Sequence, residues 1–407
     1  MRRYDARMTT TTLRSKRLQA LPPYLFVEID RKKQLRIKAG ADVIDLGIGD
    51  PDRPTPSFII DALHRGSRRP ANHRYAPSVG TKAFREAAAT FMRTRFGVDA
   101  DPGRHIVNCI GSKEGIAHLP LAVVDPGDTV LVPSVAYPVY LAGAVFAGGD
   151  VHIMPLRAES GWTPDLEAIP AEVAGRSKLM WVNYPNNPTA ACVEVGFYED
   201  VVRFASRHGI IVASDLAYSE VYFEKAPPSM WQAPGADLDS TLGIEFHSLS
   251  KTFNMTGWRV AFGVGHPEVV SALAAIKGNC DSGQFGAIQE AGIEALTKYD
   301  HPEVVAMRDV YRERRDAIVP VLRAMGCELK APTAGFFVWA RCPKGPGGKP
   351  MDSMEFCSRA LEEADVVVVP GSGFSKDARD YFRIALTVEV DRLREAGERL
   401  GKVQWAR

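Results

Sequence analysis

From about residue 104 onward, short apolar segments alternate along the chain with segments whose apolar residues recur at helical spacing. Val195–His208 shows the helical pattern, with Phe197, Val201 and Phe204 on one face and Gly209 as a stop signal. This alternation is typical of a mostly parallel β-sheet covered by helices, so an α/β fold is predicted. The predicted strands are Ile106–Ile110, Thr129–Val132, Leu179–Asn183, Ile210–Asp215, Ile244–Ser248 and Val260–Gly263.

A second alternation begins after Gln289, and its elements come in a different order. A long helical pattern runs through Tyr311–Met325 and is followed by shorter patterns. Mixed order of this kind predicts a smaller α+β domain behind the large one. The shorter patterns are Gly335–Ala340 as strand, Met354–Glu363 as helix, Val366–Val369 and Tyr381–Ala385 as strands, and a closing helix.

Composition narrows the class of protein. The 407 residues carry 50 Lys and Arg against 49 Asp and Glu, and a net charge of +1 gives no reason to expect a nucleic-acid partner. No apolar run approaches the roughly 18 residues that a membrane-spanning helix needs. The six cysteines form no pair or His/Cys cluster at ligand spacing, which favours reduced thiols in the cytoplasm and no metal site. The basic residues of Met1–Arg17 leave a transit peptide as the alternative.

The segment Ser248–Phe253 concentrates reactive groups at the end of a predicted strand. Ser248 and Ser250 share one side of the chain, Lys251 lies at the turn, and Arg259 follows it. Hydroxyls and a guanidinium suit a phosphate. A lysine amine that is partly removed from water loses its proton more easily and becomes a nucleophile toward an aldehyde. The alternative is an ordinary solvated lysine.

Gly111–Ile116 follows another predicted strand and is a small-residue turn that leads into a helix. Free N–H groups at a helix start bind anions, so Ser112 and Lys113 are candidates for a phosphate site. Glu114 counts against an anion there unless its side chain faces away. Ordinary tight packing of the turn is the alternative for this motif taken alone.

Two further strand ends carry polar side chains. Asp215 and Tyr218 follow the apolar run that starts at Ile210, and a carboxylate at the end of a buried parallel strand lies where ligands bind. Its partner would be a cation such as a protonated ring nitrogen. In Asn183–Thr189, two prolines restrict the backbone and hold Asn187 in one pose. Taken singly, an N-cap aspartate and a simple turn explain these features equally well.

In this order and at these spacings, the four segments resemble those of the class I/II aminotransferases, fold-type-I enzymes that depend on pyridoxal phosphate. The resemblance runs from about residue 20 to the C-terminus. It implies a fold-type-I transferase with a large, mostly parallel-sheet domain that binds the cofactor over residues 46–290. A smaller α+β domain would occupy residues 291–407. Residues 21–45 are expected to pack with the small domain, and residues 1–20 to form an N-terminal arm.

The same resemblance implies roles for individual residues. Lys251 would form the Schiff base with pyridoxal 5'-phosphate and later move the proton, Asp215 would pair with the pyridinium nitrogen, and Tyr137 would stack on the ring. Asn187 and Tyr218 would hydrogen-bond the phenolic oxygen. The groups expected to hold the phosphate are the backbone at Ser112 and Lys113, with Ser248, Ser250 and Arg259.

Three more residues are assigned by the resemblance. Tyr75 resembles the tyrosine that reaches the phosphate of the neighbouring subunit, which implies a homodimer with shared active sites. Arg383 resembles the two-pronged clamp on the substrate α-carboxylate, with the Gly49 backbone opposite it. The implied reaction is ping-pong transamination through a pyridoxamine phosphate form, between an amino-acid donor and a 2-oxo acid acceptor such as 2-oxoglutarate.

Several segments resemble more narrowly the LL-diaminopimelate aminotransferases of lysine biosynthesis. Pro22–Ile29, Ile44–Asp50 and Gly111–Ile116 are among them. The narrower resemblance implies that Tyr24, Lys113 and Asn279 contact the distal ammonium and carboxylate of the substrate, since an unpaired charge there would be costly.

Two departures from the family pattern stand out, and one leaves the amino donor open. Ala76–Val79 lacks the glutamate that plant-type members carry after the tyrosine equivalent to Tyr75, while Ala190, which replaces a glycine, concerns only the turn. An alanine or broad-specificity glutamate-linked aminotransferase is therefore the alternative. A pyridoxal-phosphate β-lyase would share Lys251 and Asp215, and a non-catalytic ligand-binding module is the remaining hypothesis.

Overall fold

A computed structural model describes residues 13–21 and 26–406 of the chain. Its strands are β1 Ile44–Asp45, β2 Ile106–Cys109, β3 Thr129–Pro133, β4 Asp150–Met154, β5 Ser177–Val182, β6 Ile211–Asp215, β7 Gly243–Ser248, β8 Ala261–Gly265, β9 Phe337–Arg341, β10 Val366–Val367, β11 Val369–Pro370 and β12 Tyr381–Ala385. Its α-helices are α1 Lys16–Gln19, α2 Phe26–Lys38, α3 Ser57–Ser67, α4 Lys82–Phe96, α5 Ser112–Val123, α6 Val139–Ala147, α7 Ala171–Arg176, α8 Val195–His208, α9 Leu249–Thr252, α10 Pro267–Cys280, α11 Gly286–Thr297, α12 Pro302–Ala324, α13 Ser353–Ala364 and α14 Val390–Gly401.

The large sheet has seven strands in the order β2-β8-β7-β6-β5-β3-β4. Strands β4, β3, β5, β6 and β7 run parallel to one another, and β8 runs antiparallel to both of its neighbours. The α/β fold with a mostly parallel sheet is confirmed. Because β2 points the same way as the parallel strands, the carboxyl ends of β2, β5, β6 and β7 lie at one edge of the sheet, which is where ligands bind in such folds.

Helices cover the large sheet on both faces, so its central strands β6 and β7 are buried along their whole length. Successive side chains of β5 point to opposite faces, and its Leu179 and Met180 lie in different cores. Met180 packs in the core that contains α4 and α8, while Leu179 packs in the core that contains α5 and α6. Both residues are fully buried.

A second sheet lies in the C-terminal part of the chain. Strands β11, β12 and β9 are antiparallel, and β1 pairs in parallel with β10. Helices α12, α13 and α14 pack with these strands around a separate core, which also takes in Ile44 and Leu46 from the N-terminal segment. The predicted domain boundary at residue 290 falls inside α11, whose Ala291 and Leu296 still pack in a core of the large sheet. The change of core falls inside α12, between Val304 and Tyr311.

The single strand predicted over Val366–Val369 is wrong. Val366–Val367 pairs with β1, and Val369–Pro370 pairs with β12 in the other sheet. The chain therefore changes sheets at Val368, and four identical side chains in a row carry no local signal for that break.

Among the residues described, no helix combines the length and the apolar character needed to cross a membrane.

Candidate active site

A cavity of about 550 Å³ opens where the carboxyl ends of the large-sheet strands face the second sheet. Its walls combine cationic, anionic and amide side chains, which is the setting in which small-molecule ligands are held. The sequence-predicted residues that line it are Gly49, Ser112, Lys113, Tyr137, Asn187, Asp215, Tyr218, Ser248, Ser250, Lys251, Arg259 and Arg383.

Lys251 lies in the short helix α9, directly behind the strand β7. Ser248 caps that helix, since its Oγ accepts a hydrogen bond from the Ser250 N–H at 3.3 Å. The Lys251 amine donates to the Gly49 carbonyl at 2.9 Å. Burial lowers the pKa of Lys251 to about 8; the nearby Arg259 and Arg383 lower it further, while Asp50 opposes them. A substantial share of this amine is therefore unprotonated at neutral to mildly basic pH.

Asp215 ends strand β6 at the floor of the cavity and is 5% exposed. Its Oδ2 accepts a hydrogen bond from the Tyr140 hydroxyl at 2.7 Å, and its Oδ1 is buried without a partner among the described residues. Burial raises the pKa of this carboxyl to about 6, while the Tyr140 hydroxyl, the Ala217 N–H and the nearby His247 act in the opposite direction. A buried carboxylate oxygen left without a partner is a ready acceptor for a cation.

The start of helix α5 forms an anion cradle. Gly111 is in the left-handed region, with φ 73°, and a Cβ there would collide with the Arg259 guanidinium. Arg259 therefore lies flat against the backbone where the free N–H groups of Ser112 and Lys113 begin the helix. Glu114 faces away, because its carboxylate accepts hydrogen bonds from the Ile110 N–H and the Lys277 amine, each at 2.9 Å.

At the opposite end of the cavity, Arg383 of β12 is held in one orientation. Its Nη1 donates to Asn187 Oδ1 at 2.9 Å and its Nη2 to the Gly47 carbonyl at 2.8 Å. Its guanidinium also lies 4.4 Å from the Phe337 ring centre and 5.2 Å from that of Phe374. A guanidinium that is 5% exposed and oriented in this way suits a ligand carboxylate.

Two of the sequence-predicted residues that the structure describes do not line this cavity. Tyr75 is 92% exposed, and Asn279 is an exposed residue near the end of α10 whose amide donates to the Ala275 carbonyl at 2.8 Å. Within one chain, neither side chain lines the cavity, so their predicted contacts would require a second subunit. Tyr24 lies outside the described residues.

Two site residues escaped the sequence analysis. Tyr140 is in α6, fully buried, and stacks on Trp181 with ring centres 4.8 Å apart. Asn183 donates from Nδ2 to the Asp215 carbonyl at 2.7 Å and accepts at Oδ1 from the Asn187 N–H at 2.9 Å. It therefore ties the ends of β5 and β6 to each other. The segment Asn183–Thr189 was singled out in the sequence, but the signal pointed to Asn187 alone.

Residues 41–400 match the family model described as aminotransferase class I and II. The chain belongs to the class I and II aminotransferases. The LL-diaminopimelate aminotransferase of Aquifex aeolicus is 50% identical over 387 residues, which cover 95% of this chain and 98% of that protein. Among solved structures, substrate-bound BacF from Bacillus subtilis has a TM-score of 0.90 at 34% identity, covering 97% and 98% of the two chains. An aspartate aminotransferase from Thermotoga maritima has a TM-score of 0.86 at 28% identity, covering 95% and 99%.

Members of this family depend on pyridoxal 5'-phosphate, and the chain is a pyridoxal-phosphate-dependent transaminase of fold type I. The residues present fit that cofactor. The unpartnered Oδ1 of Asp215 suits a protonated ring nitrogen, the anion cradle of α5 and Arg259 suits the phosphate, and the Lys251 amine suits the aldehyde. Their roles toward the cofactor stay predictions.

When bound, the cofactor carries the amino group and takes up the electron pair left on the substrate carbon. The chain supplies the rest of the chemistry. We expect Arg383 to orient the substrate by its carboxylate, and the Lys251 amine, with its lowered pKa, to take and return a proton. Asp215 would keep a cationic ring nitrogen charged.

Proposed function

We propose that the enzyme is an LL-diaminopimelate:2-oxoglutarate aminotransferase of lysine biosynthesis. The observation that carries the proposal is the 50% identity to the Aquifex aeolicus enzyme of that name over 95% of this chain. Relatives from Moorella thermoacetica and Syntrophobacter fumaroxidans, 49% and 47% identical, carry the same name. A pocket for this donor has to accept an ammonium and a carboxylate at the end that does not react.

The wall of the cavity formed by helix α2 and strand β1 supports this choice of donor. Lys33 donates from Nζ to Asp45 Oδ2 at 3.0 Å and lies 2.9 Å from Asp30 Oδ1. We call Asp30, Lys33 and Asp45 the ion triad. The two carboxylates outnumber the single amine, so the triad has a formal charge of −1 when all three groups are ionised.

That charge distinguishes between donors. The distal end of LL-diaminopimelate carries an ammonium, which the carboxylates of the triad attract. It also carries a carboxylate, for which Lys33 of this wall and Lys113 of α5 are cationic groups lining the cavity. The distal carboxylate of glutamate or aspartate can pair with the same two lysines, but these donors have no distal ammonium for the carboxylates of the triad. Alanine has no distal polar group, so the triad should not change its kcat/KM.

The proposal includes an assembly and a compartment. We propose a homodimer with shared active sites, because Tyr75 is exposed on the chain that carries it and yet resembles a phosphate ligand. The division into a large domain over 46–290 and a small domain over 291–407 belongs to the same proposal. We place the enzyme in the cytoplasm, which the free state of all six cysteines supports.

An alanine or broad-specificity glutamate-linked aminotransferase is the second candidate. Ala76–Val79 favours it, because that segment lacks the acidic residue that plant-type members present to the distal ammonium. The ion triad offers carboxylates from a different part of the chain, which is why we rank this candidate second.

A single-turnover assay separates the two candidates. Holoenzyme is mixed with LL-diaminopimelate, alanine, aspartate or glutamate without acceptor, and the absorbance of the bound cofactor reports loss of its aldehyde form. We expect kcat/KM for LL-diaminopimelate to exceed that for alanine and aspartate by about tenfold or more. Equal rates with alanine and LL-diaminopimelate would favour the broad-specificity enzyme.

The ion triad is tested with Asp45→Asn. An asparagine can keep the hydrogen bond from the Gly47 N–H, now 2.8 Å, but it removes one negative charge. We expect kcat/KM for LL-diaminopimelate to fall roughly tenfold while that for alanine stays within about twofold. The matched control is Asp365→Asn, which weakens the ion pair of Asp365 with Arg36 on the same helix α2 but outside the cavity. An equal loss with both donors would contradict a role of the triad in specificity.

A further inference from the structure

Residues 46–55 form an extended segment, here called the strap, that crosses between the second sheet and the Lys251 segment. Two of its carbonyls hold the two principal cations of the cavity: Gly47 accepts from Arg383 Nη2 at 2.8 Å, and Gly49 accepts from Lys251 Nζ at 2.9 Å. In extended backbone, carbonyls two residues apart point the same way. The strap therefore sets the spacing between the amine and the guanidinium.

Each end of the strap is bonded to a different part of the molecule. Leu46 accepts from the Ala385 N–H at 2.7 Å, and Ile48 accepts from Thr387 Oγ1 at 2.6 Å. At the other end, Thr55 Oγ1 donates to the Asn254 carbonyl at 2.7 Å, three residues beyond Lys251. The strap thus connects the strand that carries Arg383 to the helix that carries Lys251.

An ion pair between a buried guanidinium and a partly exposed carboxylate fixes the middle of the strap. Arg314 of α12 is fully buried and donates from Nη1 and Nη2 to the two carboxylate oxygens of Asp52, both at 2.7 Å. Its Nη1 also donates to the Leu386 carbonyl at 3.0 Å, next to the Thr387 that holds Ile48. A two-pronged contact of this kind sets both distance and angle.

We propose that Arg314 is a positioning residue for transamination: through Asp52 it holds the strap so that the Gly49 carbonyl orients the Lys251 amine while Gly47 orients Arg383. An amine that donates one N–H to Gly49 keeps its lone pair directed away from that carbonyl and available for a proton. The inference rests on the transaminase assignment and does not depend on which amino acid is the donor.

Stability alone is a weak reason for such a pair. Taking the Arg314 guanidinium out of water costs about as much as its attraction to the partly exposed Asp52 carboxylate returns, so an apolar side chain of similar size would serve the fold equally well. What an ion pair adds is a fixed geometry, and here it lies three residues from Gly49.

The charge state of Lys251 provides the readout. Asp50 on the strap raises the pKa of Lys251, and Arg259 and Arg383 lower it. Lys113, Asp215, Tyr137 and Tyr218 also line the cavity. Burial is the largest influence, so a displaced strap that admits water would raise the pKa of Lys251 toward its ordinary value.

The test uses Arg314→Lys, which keeps the charge but not the two-pronged contact, and Asp52→Asn, which keeps the shape but not the charge. Both are purified as holoenzyme and assayed in single turnover with alanine and with LL-diaminopimelate from pH 6 to pH 10. We expect KM to rise and kcat/KM to fall about tenfold for both donors alike, because Arg383 binds the carboxylate that they share. The acidic limb of the pH profile measured at saturating donor, where the Lys251 amine is free, should move about one unit higher.

The control is Arg53→Met, which removes an exposed ion pair between the strap and Glu389, now 3.1 Å apart. It should leave KM and the pH profile unchanged, because Arg314, whose Nη2 also lies 3.7 Å from Glu389, keeps both of its bonds to Asp52. Thermal unfolding is measured for every variant. Arg314→Lys and Asp52→Asn could instead lower the melting temperature while KM and the acidic limb of the pH profile stay as in the unmodified enzyme. The ion pair would then be merely structural, and the proposal would be overturned. Normal kinetics with normal stability would overturn it as well.

Discussion

At the scale of single residues, Asp215 illustrates how a carboxylate is kept ionised inside a protein. Burial raises its pKa to about 6, so the carboxyl is still mostly ionised at pH 7. The Tyr140 hydroxyl favours the charged form by donating to Oδ2 and leaves Oδ1 for a cation. Removing that hydroxyl would raise the pKa further, because burial would then act with less opposition.

We therefore predict a pH-dependent defect for Tyr140→Phe. A raised Asp215 pKa leaves more of the carboxyl protonated at neutral pH, and a neutral carboxyl cannot pair with a ring cation. Affinity for pyridoxal phosphate should fall roughly tenfold at pH 6.5 and recover toward pH 8.5, where Asp215 ionises again. Equilibrium titration of the apoenzyme with the cofactor at both pH values measures this.

Tyr184→Phe is the matched control for that prediction. It also removes a buried tyrosine hydroxyl, which now donates to the Trp162 carbonyl at 2.7 Å, away from Asp215. In this variant, cofactor affinity should change with pH in the same way as in the unmodified enzyme. A Tyr140→Phe defect of equal size at both pH values would show that the hydroxyl acts on packing and not on the charge of Asp215.

Residue-level prediction from sequence depends on where a residue stands. Lys251, Asp215 and Arg259 stand at or just beyond apolar strands, where polar side chains are conspicuous. Tyr140 stands in Val139–Ala147, an apolar run in which a tyrosine looks like one more core residue. Its hydrogen bond to Asp215 joins positions 75 residues apart, and no local pattern encodes such a contact.

At the scale of elements, the N-terminus of α5 acts as a unit. Its free N–H groups, the left-handed Gly111 and the Arg259 side chain against that glycine form one surface. We predict that Gly111→Ala displaces the guanidinium and weakens cofactor binding by about tenfold to a hundredfold, because the phosphate loses a charge-assisted partner. Titration with pyridoxal phosphate measures the loss, and titration with pyridoxal, which lacks the phosphate, should show little change.

Gly97→Ala controls for the loss of a positive-φ glycine at a helix end. Gly97 ends α4 with φ 70° and ψ 22°, whereas Gly111 has φ 73° and ψ 152°, and nothing lies within 4 Å of the position that a Cβ of residue 97 would take. We expect a cost in stability of about 1 kcal/mol and unchanged cofactor affinity. If both variants lose the same affinity, a general loss of stability and not the displaced Arg259 is responsible.

Element prediction from sequence follows the strength of the pattern. Val195–His208 begins and ends where its periodicity and its glycine stop predict. The strand Asp150–Met154 was missed because it is the edge strand of the large sheet, and only Met154 among its residues is buried. An edge strand with a polar face carries no continuous apolar run. Its pairing with β3 therefore depends on tertiary contacts that no local sequence pattern encodes.

At the scale of the whole molecule, one chain brings together most of the predicted site but leaves Tyr75 outside it. Its ring is 92% exposed, an unfavourable place for a large aromatic side chain with a binding role. In a twofold-symmetric dimer the same surface serves both subunits, so each Tyr75 would enter the site of its partner. The proposed dimer would therefore complete each cavity with a side chain from the other chain.

Mixed dimers test this arrangement. Lys251→Ala and Tyr75→Ala subunits are each combined with themselves and then with each other at a one-to-one ratio. In a mixed dimer, both changes fall in one site, and the other site receives an intact Lys251 and an intact Tyr75. Random pairing makes half of the dimers mixed, so about a quarter of all sites should regain normal activity and cofactor affinity, well above the two parents. If each site is instead built from one chain, the mixture should show no more than the average activity of the two parents. Tyr75 would then not act in the site of the partner subunit.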